Sequence, residues 1–433
     1  MENIKLVESH IIKPNNELWK FVDSLCWKTR CLRNKANFIL RKNFFSKKNH
    51  KYLNYNFIDK LFKNHSNLEE LYRLVPRATI AQQCLRMLDK EWKSFFKAIK
   101  SYSRNKSGFT GVPKPPKYKK DKQTYTAILL PQEFTVIGKC LTLPKYLNNY
   151  KIHFHNSGKL KQVRIVPCSN RIYKIELVFD QTVPKLLDKH DRFLAIDLGV
   201  SNLATIITNT GTKPVLLNGK DLKSVNQYYN KKISSCKSIL PKYKNGKQQS
   251  ASKLIEKLYT NRNNKIKSRM HRYSRFIVDY ARSNNIDTII IGYNKEWKQE
   301  SDLGKKNNQM FQQIPFLMLV QQIEYKAKLY GIEVVRLEES YTSGTSFLDK
   351  EIPDKKYYDK SRRVSRGLFN TNNDIKINAD VNAAYQILKK YLQMLDKSYV
   401  IEGLQDMIFK NLSYALSPSR VTVNSNTKIN KLY

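Results

Sequence analysis

Phe193-Leu-Ala-Ile-Asp-Leu-Gly-Val-Ser-Asn-Leu-Ala-Thr-Ile-Ile207 is the stretch on which the reading of this chain turns. Two apolar runs, residues 193–198 and 203–207, flank a turn that carries Gly199, the pattern of two short strands joined tightly. Residues 214–217 supply a third strand after the turn Asn209-Thr-Gly211, so the segment reads as a meander. One charge interrupts the first run. An ionised carboxylate inside a hydrophobic strand is costly unless it meets a cation or a partner, which makes Asp197 a candidate site residue.

Downstream the apolar period lengthens. A basic helical region follows, broken near Pro241 and Gly246 and resuming over residues 254–282. A buried strand at 288–291 comes next, then a helix opening at Pro315 with Phe316, Leu319, Val320, Ile323 and Ala327 on one face, then a strand at 332–337. A last helix starts after Asp380. Three strands, then helix, strand, helix, strand, helix is the order of an RNase H-like fold, whose mixed sheet gathers strand ends and one helix start. Asp380, within Asn378-Ala-Asp-Val-Asn382, reads by itself as a helix N-cap. With Asp197 in the same frame it reads as a second member of a carboxylate set for two magnesium ions about 3.5–4 Å apart.

Upstream of this frame, residues 4–12 form a candidate strand, and Pro14-Asn15-Asn16 offers a turn and a cap. Leu18, Phe21, Val22, Leu25, Leu32, Ala36 and Ile39 then recur at helical spacing. After Pro76, a second stripe runs through Ala78, Ala81, Leu85, Leu88, Trp92, Phe95, Ile99 and Tyr102. Residues 108–122 mix prolines, glycines and lysines with Phe109 and Tyr118, which excludes regular structure and leaves a basic loop. From 124 to 180 the pattern is strand-like, clearest where Tyr173, Ile175, Leu177 and Phe179 alternate with other residues. The expected class is therefore a multidomain α/β protein. A β-barrel takes residues 1–16 and 106–188, a helical domain at 17–105 is inserted into it, and an RNase H-like nuclease domain takes 189–395 with a basic loop insertion at 340–379. Residues 396–433 read as a C-terminal tail.

The charge points to a polyanion. The chain has 79 Lys and Arg against 36 Asp and Glu, a net charge of +43. Such self-repulsion is relieved when cations neutralise phosphates and release counterions. A codon bias toward Lys, Asn, Ile and Tyr explains part of the excess but not the scarcity of acids. No apolar run reaches the length of a bilayer span, and the first residues lack a signal-peptide core. A cytoplasmic, nucleoid-associated protein of a prokaryote or phage is expected. The six cysteines, scattered without a C-x-x-C pair, suggest neither zinc nor disulfides.

Ala195-Ile-Asp-Leu-Gly-Val-Ser-Asn202 and Asn378-Ala-Asp-Val-Asn-Ala-Ala384 stand in order with further motifs: Leu88-Asp-Lys-Glu-Trp-Lys-Ser-Phe-Phe96, Gly111-Val-Pro-Lys-Pro-Pro-Lys-Tyr118, Ile291-Gly-Tyr-Asn-Lys-Glu-Trp-Lys298, Gln313-Ile-Pro-Phe316, Glu338-Glu-Ser-Tyr-Thr-Ser343 and Arg366-Gly-Leu368. Together they resemble the TnpB family, also called OrfB, transposon-associated RNA-guided DNA endonucleases related to miniature type V CRISPR effectors. The resemblance covers nearly the whole chain. It implies a guide RNA and a target DNA as partners, with the front of the chain holding the guide–target duplex by shape and backbone, and a RuvC-like site cutting the DNA strands in turn.

Two departures matter. The family usually places a third acid directly after the strand that here reads Thr288-Ile-Ile-Ile-Gly292, and this chain has Gly292. Either the nuclease is dead, leaving an RNA-guided DNA-binding protein or repressor, or a carboxylate from the neighbouring strand end, about 4.8 Å away, has taken over. Alternation puts Val335, Leu337 and Glu339 on one face and Glu338 on the other. Glu339 is the expected third ligand beside Asp197 and Asp380, and Glu338 is the runner-up; Glu296, among Lys295, Trp297 and Lys298, reads as surface. The family's four-cysteine zinc ribbon has no counterpart in 340–379, so magnesium is expected and zinc is not. Candidate nucleic-acid contacts are Lys114, Lys117 and Tyr118 in the front loop, Arg262, Lys265, Arg269, Arg272 and Arg275 on the long helix, and Lys298, Arg363 and Arg366 near the site. A guide-free transposase or nuclease is the remaining rival. It leaves the basic front half without a partner.

Overall fold

The computed structural model describes residues 2–46, 52–120, 123–241, 252–294, 305–365 and 367–424, and the side chains of 305–307 are outside that description. The chain divides into two compact units, one of Asn3–Thr182 and one of Met1–Glu2 with Val183–Tyr433.

In the first unit, β1 (Asn3–Ile12) is followed by four helices, α1 (Trp19–Phe44), α2 (Tyr55–Asn64), α3 (Ser66–Arg73) and α4 (Ala78–Arg104). Short strands β2 (Ala127–Leu129), β3 (Thr135–Ile137), β4 (Cys140–Thr142) and β5 (Lys151–His153) precede the longer β6 (Lys159–Pro167) and β7 (Tyr173–Thr182). The helical periods hold. On α4 the expected stripe is buried through Ala81, Leu85, Leu88 and Trp92, then fades to half-buried at Phe95, Ile99 and Tyr102. The buried indole of Trp92 donates to Asn37 Oδ1 at 3.0 Å, which satisfies its polar end inside the core. β1 pairs antiparallel with β7 along its length, from Asn3↔Thr182 to Ile12↔Tyr173, so the helices lie between two sequence-distant strands that meet.

Where a barrel is expected, the strands form two antiparallel sheets, β1-β7-β6-β2 and β3-β4-β5, rather than one ring of hydrogen bonds. One apolar core serves both helices and sheets: Leu32, Leu85 and Trp92 belong to the same buried cluster as Leu141, Val163, Leu177 and Phe179. The reason lies in strand length. β2 to β5 are three residues each, too short to carry a hydrophobic face of their own.

The second unit holds a six-stranded sheet. Its strands are β8 (Phe193–Leu198), β9 (Asn202–Thr208), β10 (Val215–Asn218), β11 (Thr288–Gly292), β12 (Glu333–Leu337) and β15 (Ser419–Val421), in the order β12-β11-β8-β9-β10-β15. β8, β11 and β12 run parallel, and β9 is antiparallel to both β8 and β10. The hairpin β13 (Leu368–Asn370) and β14 (Lys376–Asn378) stands apart. Helices α5 (Lys220–Ser238), α6 (Lys253–Ser283), α7 (Lys305–Gln313) and α8 (Phe316–Lys328) come before β12, and α9 (Ala379–Met394), α10 (Ser398–Lys410) and α11 (Leu412–Leu416) come after it.

Residues 396–433 are not a tail where they are described. α10 buries Val400, Ile401, Leu404 and Ile408, and β15 pairs parallel with β10 at the sheet edge. The apolar period in Tyr399–Ile408 and the short run before Ser419 give the reason, since both have a face to bury.

The sheet separates two apolar layers. Leu194, Ile196, Ile289 and Ile291 face the layer of α5, α6 and α8, whereas Phe193, Ala195, Ile290 and Leu337 face the layer of α9 and α10. Period-two alternation therefore puts position 197, position 292 and position 339 on the α9 side, at the carboxyl ends of three adjacent parallel strands.

Candidate active site

The carboxyl ends of parallel strands are where open α/β sheets collect ligands, and Asp197 lies one residue beyond the pair Ile196↔Ile291. Burial, then the negative charges of Glu339 and Asp380, pushes the Asp197 carboxyl well above the usual carboxylate range, with Arg363 pulling the other way. Glu339 and Asp380 thus each lie within electrostatic reach of Asp197. Opposite Asp197, the buried hydroxyl of Thr205 has no hydrogen-bond partner among the described residues.

Gly292 sits in the middle strand of the three, between Asp197 on β8 and the end of β12. A Cβ built there would lie 2.9 Å from Glu339 Oε2 and 2.5 Å from Ile387 Cδ1. The carboxylate from the next strand therefore fills the space that a side chain at 292 would take. Glu338 points elsewhere. It is exposed, accepts from Ser340 N at 3.1 Å and from the Ser340 hydroxyl, and pairs with Lys390 Nζ at 2.9 Å. Burial raises its pKa, but these bonds outweigh that and hold its carboxyl below its ordinary value.

Asp380 is not the cap of α9. Asn378 is, its side chain accepting from Asp380 N at 3.1 Å and Val381 N at 3.2 Å. The Asp380 carboxylate is left to face the sheet, where Asn202 Nδ2 donates to Oδ2 at 2.8 Å and Arg363 Nη2 stands 3.5 Å from Oδ1. As they stand, no three His, Cys, Asp or Glu side chains among the described residues are grouped closely enough to hold a metal ion. Three acids and an unpartnered hydroxyl suit a hard divalent cation by donor chemistry.

The 340–379 interval is more ordered than a loop of its charge implies. Arg362 pairs with Asp349 at 2.6 Å and with Glu351 at 2.8 Å, and lies 5.0 Å from the Phe369 ring centroid. These three side chains are 12%, 4% and 12% exposed, so the ion pairs form an internal knot where no cysteine is available. The knot is tied to α9. Asn382 accepts from Phe347 N at 2.9 Å and donates to Thr345 O at 2.7 Å, and Phe347 stacks on Tyr385 with ring centroids 5.0 Å apart.

The candidate nucleic-acid contacts divide. Lys114, Lys117 and Tyr118 are exposed, as are Lys265 and Arg275. Arg275 pairs along its own helix with Asp279 at 2.7 Å, and Lys265 Nζ lies 5.5 Å from the Tyr229 ring centroid. Arg262 works inside the fold, donating to Asn226 Oδ1 at 2.9 Å and Gln313 O at 3.2 Å, and Arg269 pairs with Asp221 at 2.8 Å. Arg272 is half-buried. Lys298, Arg366 and the surface acid Glu296 lie outside the described residues. Asn202, Thr205 and Asn378 had no assigned role in the sequence. Only the Asn-x-Asp spacing at 378–380, which fits a cap just ahead of the acid, carried a signal.

Comparison with known proteins matches this frame. Residues 177–298 match the OrfB_IS605 family, described as "Probable transposase", and residues 316–387 match the Cas12f1-like TNB domain. The chain is 28% identical over 209 residues to the TnpB-like protein ORF457 of Acidianus two-tailed virus, spanning 47% of this chain and 42% of that protein. It is 30% identical over 220 residues to the CRISPR-associated endodeoxyribonuclease Cas12f2 of Micrarchaeota archaeon (strain CG1_02_47_40), spanning 46% of this chain and 37% of that protein. The matches thus span about two fifths of these relatives' length. A cryo-EM structure of a Cas12f1–sgRNA–target DNA complex superposes with a TM-score of 0.54 at 15% identity, over 86% of this chain and 82% of that one, which shows a shared fold. By fold the molecule is a mixed α/β protein. Within that class it is a relative of the TnpB/OrfB proteins and of Cas12f. Among the described residues no helix is long and apolar enough to cross a membrane.

Proposed function

We propose that this chain is an RNA-guided, magnesium-dependent DNA endonuclease, with a RuvC-like site formed by Asp197, Glu339 and Asp380. The observation that carries the reading is the Glu339 carboxylate filling the side-chain space of Gly292, on the face and strand ends that also bear Asp197. That position favours an active nuclease over the dead-nuclease rival, because a carboxylate from the adjacent strand end occupies the space of the acid absent at 292. The first unit, with its two sheets and helices, takes the role expected of a barrel with an inserted helical domain, holding guide RNA and guide–target duplex through backbone contacts. The relatives named above, an endodeoxyribonuclease and a TnpB-like protein, support the assignment.

Bound magnesium supplies Lewis acidity to the phosphodiester and an activated water. The chain's own residues prepare for it. Asp197 stays charged only against its burial and the repulsion of its two acidic neighbours, which sets a strong preference for a cation at that point. Asn202 orients Asp380, and Arg363 offsets its charge beside the site. Ile387 borders the same gap over Gly292 that the Glu339 carboxylate enters.

The test is cleavage of a plasmid matched by a guide transcribed beside the gene. Linear product is expected with Mg²⁺ and none with EDTA or with Asp197→Ala. Cutting that survives RNase treatment of the purified complex points instead to a guide-free nuclease. No cutting under any condition, with guide-dependent plasmid binding intact, points to the DNA-binding repressor.

A further inference from the structure

The exposed face of α1 carries aromatic side chains where a solvated helix should carry polar ones. Trp27 and Phe38 on α1, and Phe45, which caps its C-terminal end, are 46%, 48% and 55% exposed, and Tyr118 of the front loop is 45% exposed. Positions 27, 38 and 45 lie about three and about two turns apart at ~3.6 residues per turn, so they fall on one line of the helix. Single exposed rings are ordinary, but a line of them marks a contact surface.

The loop beside this line is held in place. Arg33 donates to Lys117 O at 3.0 Å, Asn34 to Lys119 O at 2.8 Å, Asn37 to Pro116 O at 3.0 Å and Arg41 to Pro116 O at 3.1 Å. Side chains of α1 thus satisfy loop carbonyls that would otherwise need water, and Tyr118 is fixed next to the helix. Arg41 Cζ lies 5.4 Å from the Phe45 ring centroid and 5.6 Å from that of Tyr118, so one tethered cation serves two exposed rings. Lys35 and Lys42 are exposed on one flank and Lys114 and Lys117 on the other.

Half-exposed rings, each with a cation over one face and with lysines beside them, suit one partner chemistry: bases that are not paired, joined by phosphates. An apolar protein helix would leave the lysines without counter-charges. We propose that Phe38, with Lys35 over its ring, and Phe45 and Tyr118, which share Arg41, form a stacking site for unpaired bases of a nucleic-acid strand, with Lys42 and Lys117 on its phosphates. The site rests on the nucleic-acid part of the proposed function and not on the carboxylates. Phe38 and Phe45 are about 10 Å apart along the helix at ~1.5 Å per residue, and stacked nucleotides rise ~3.4 Å each. The two rings therefore take bases about three nucleotides apart, not neighbours.

The experiment measures binding of the full chain to fluorescein-labelled oligothymidylate and to an abasic strand of equal length, by anisotropy across a salt series. Wild type should favour the intact strand by a ratio that holds across the salt series, because the two strands carry the same phosphates. Phe38→Leu, Phe45→Leu and Tyr118→Leu keep apolar bulk but lose the ring face. Each should weaken intact-strand binding about five- to about 150-fold, the equivalent of ~1–3 kcal/mol per stacked base, and leave abasic binding unchanged. Lys117→Ala should instead lower the salt slope by about 0.7 on both strands. Circular dichroism melts of each variant matching wild type confirm that folding is intact. Equal affinity of wild type for the two strands overturns the site, as does an unchanged intact-strand affinity in all three leucine variants. Sedimentation showing that wild type self-associates and Phe38→Leu does not, with strand binding unaffected, overturns it in favour of an interface between copies. Failure here with plasmid cleavage intact removes the stacking site alone.

Discussion

Gly292→Ala separates the two neighbours of that position. The added Cβ would lie 2.5 Å from Ile387 Cδ1 and 2.9 Å from Glu339 Oε2, both inside ordinary contact distance. Overpacking of this kind costs ~1–3 kcal/mol, and each kcal/mol moves the melting point of a unit this size by about 2–4 °C. The melting temperature should therefore fall by roughly 2–12 °C. Glu339 must also give way, and a displacement of about 1 Å in a catalytic group can lower cleavage about a hundredfold. Ile387→Val deletes the atom at 2.5 Å, so Gly292→Ala/Ile387→Val should regain much of the stability. It should not regain cleavage, because the Glu339 clash stays. Thermal unfolding with a plasmid-cleavage time course reads both quantities. Wild-type cleavage in Gly292→Ala, or full recovery of cleavage in the double variant, would refute the placement of Glu339 in that gap.

Asp197 binds its proton more tightly in the folded chain than in the unfolded one, whose ordinary value is about 3.9. The folded state then holds more protons, so stability falls as pH rises from about 4 through the raised value. Asp197→Asn removes that loss: in EDTA its melting point should exceed wild type at pH 7.5, with the gap closing toward pH 4. Arg362→Met strands two largely buried carboxylates, which costs about 3–5 kcal/mol. Limited proteolysis should open the 345–375 region in the variant, while wild type resists equally with and without EDTA. Glu338→Gln should cut within about twofold of wild type and Glu339→Gln should not cut, since Glu338 serves an exposed pair with Lys390.

Much of the second unit was legible in the sequence because its strands are near-continuous apolar runs bounded by turns. Phe193–Leu198 and Thr288–Gly292 allow no other reading, and the one charge in the first run marked the site. Alternation along β12 also separated Glu339 from Glu338. What the sequence could not reveal was nonlocal. The cap of α9 passes to Asn378 because its side chain reaches two backbone amides, and Asn202 meets Asp380 across 178 positions of sequence. Arg262 and Arg269 looked like free cations on a basic helix, and their partners, Asn226 and Asp221, lie on another helix. In the first unit α1 and α4 were legible from their stripes, whereas the shorter α2 and α3 were not singled out, and strands β2 to β5 carry too little pattern to foretell two sheets sharing one core.

Electron paramagnetic resonance of Mn²⁺ added to the purified chain, without guide or DNA, asks most directly whether the acids of β8, the β12 end and α9 act as one ligand set. The account predicts that wild type immobilises the ion and that Asp197→Asn and Glu339→Gln each lose it. Mn²⁺ bound equally by wild type and both variants would contradict it.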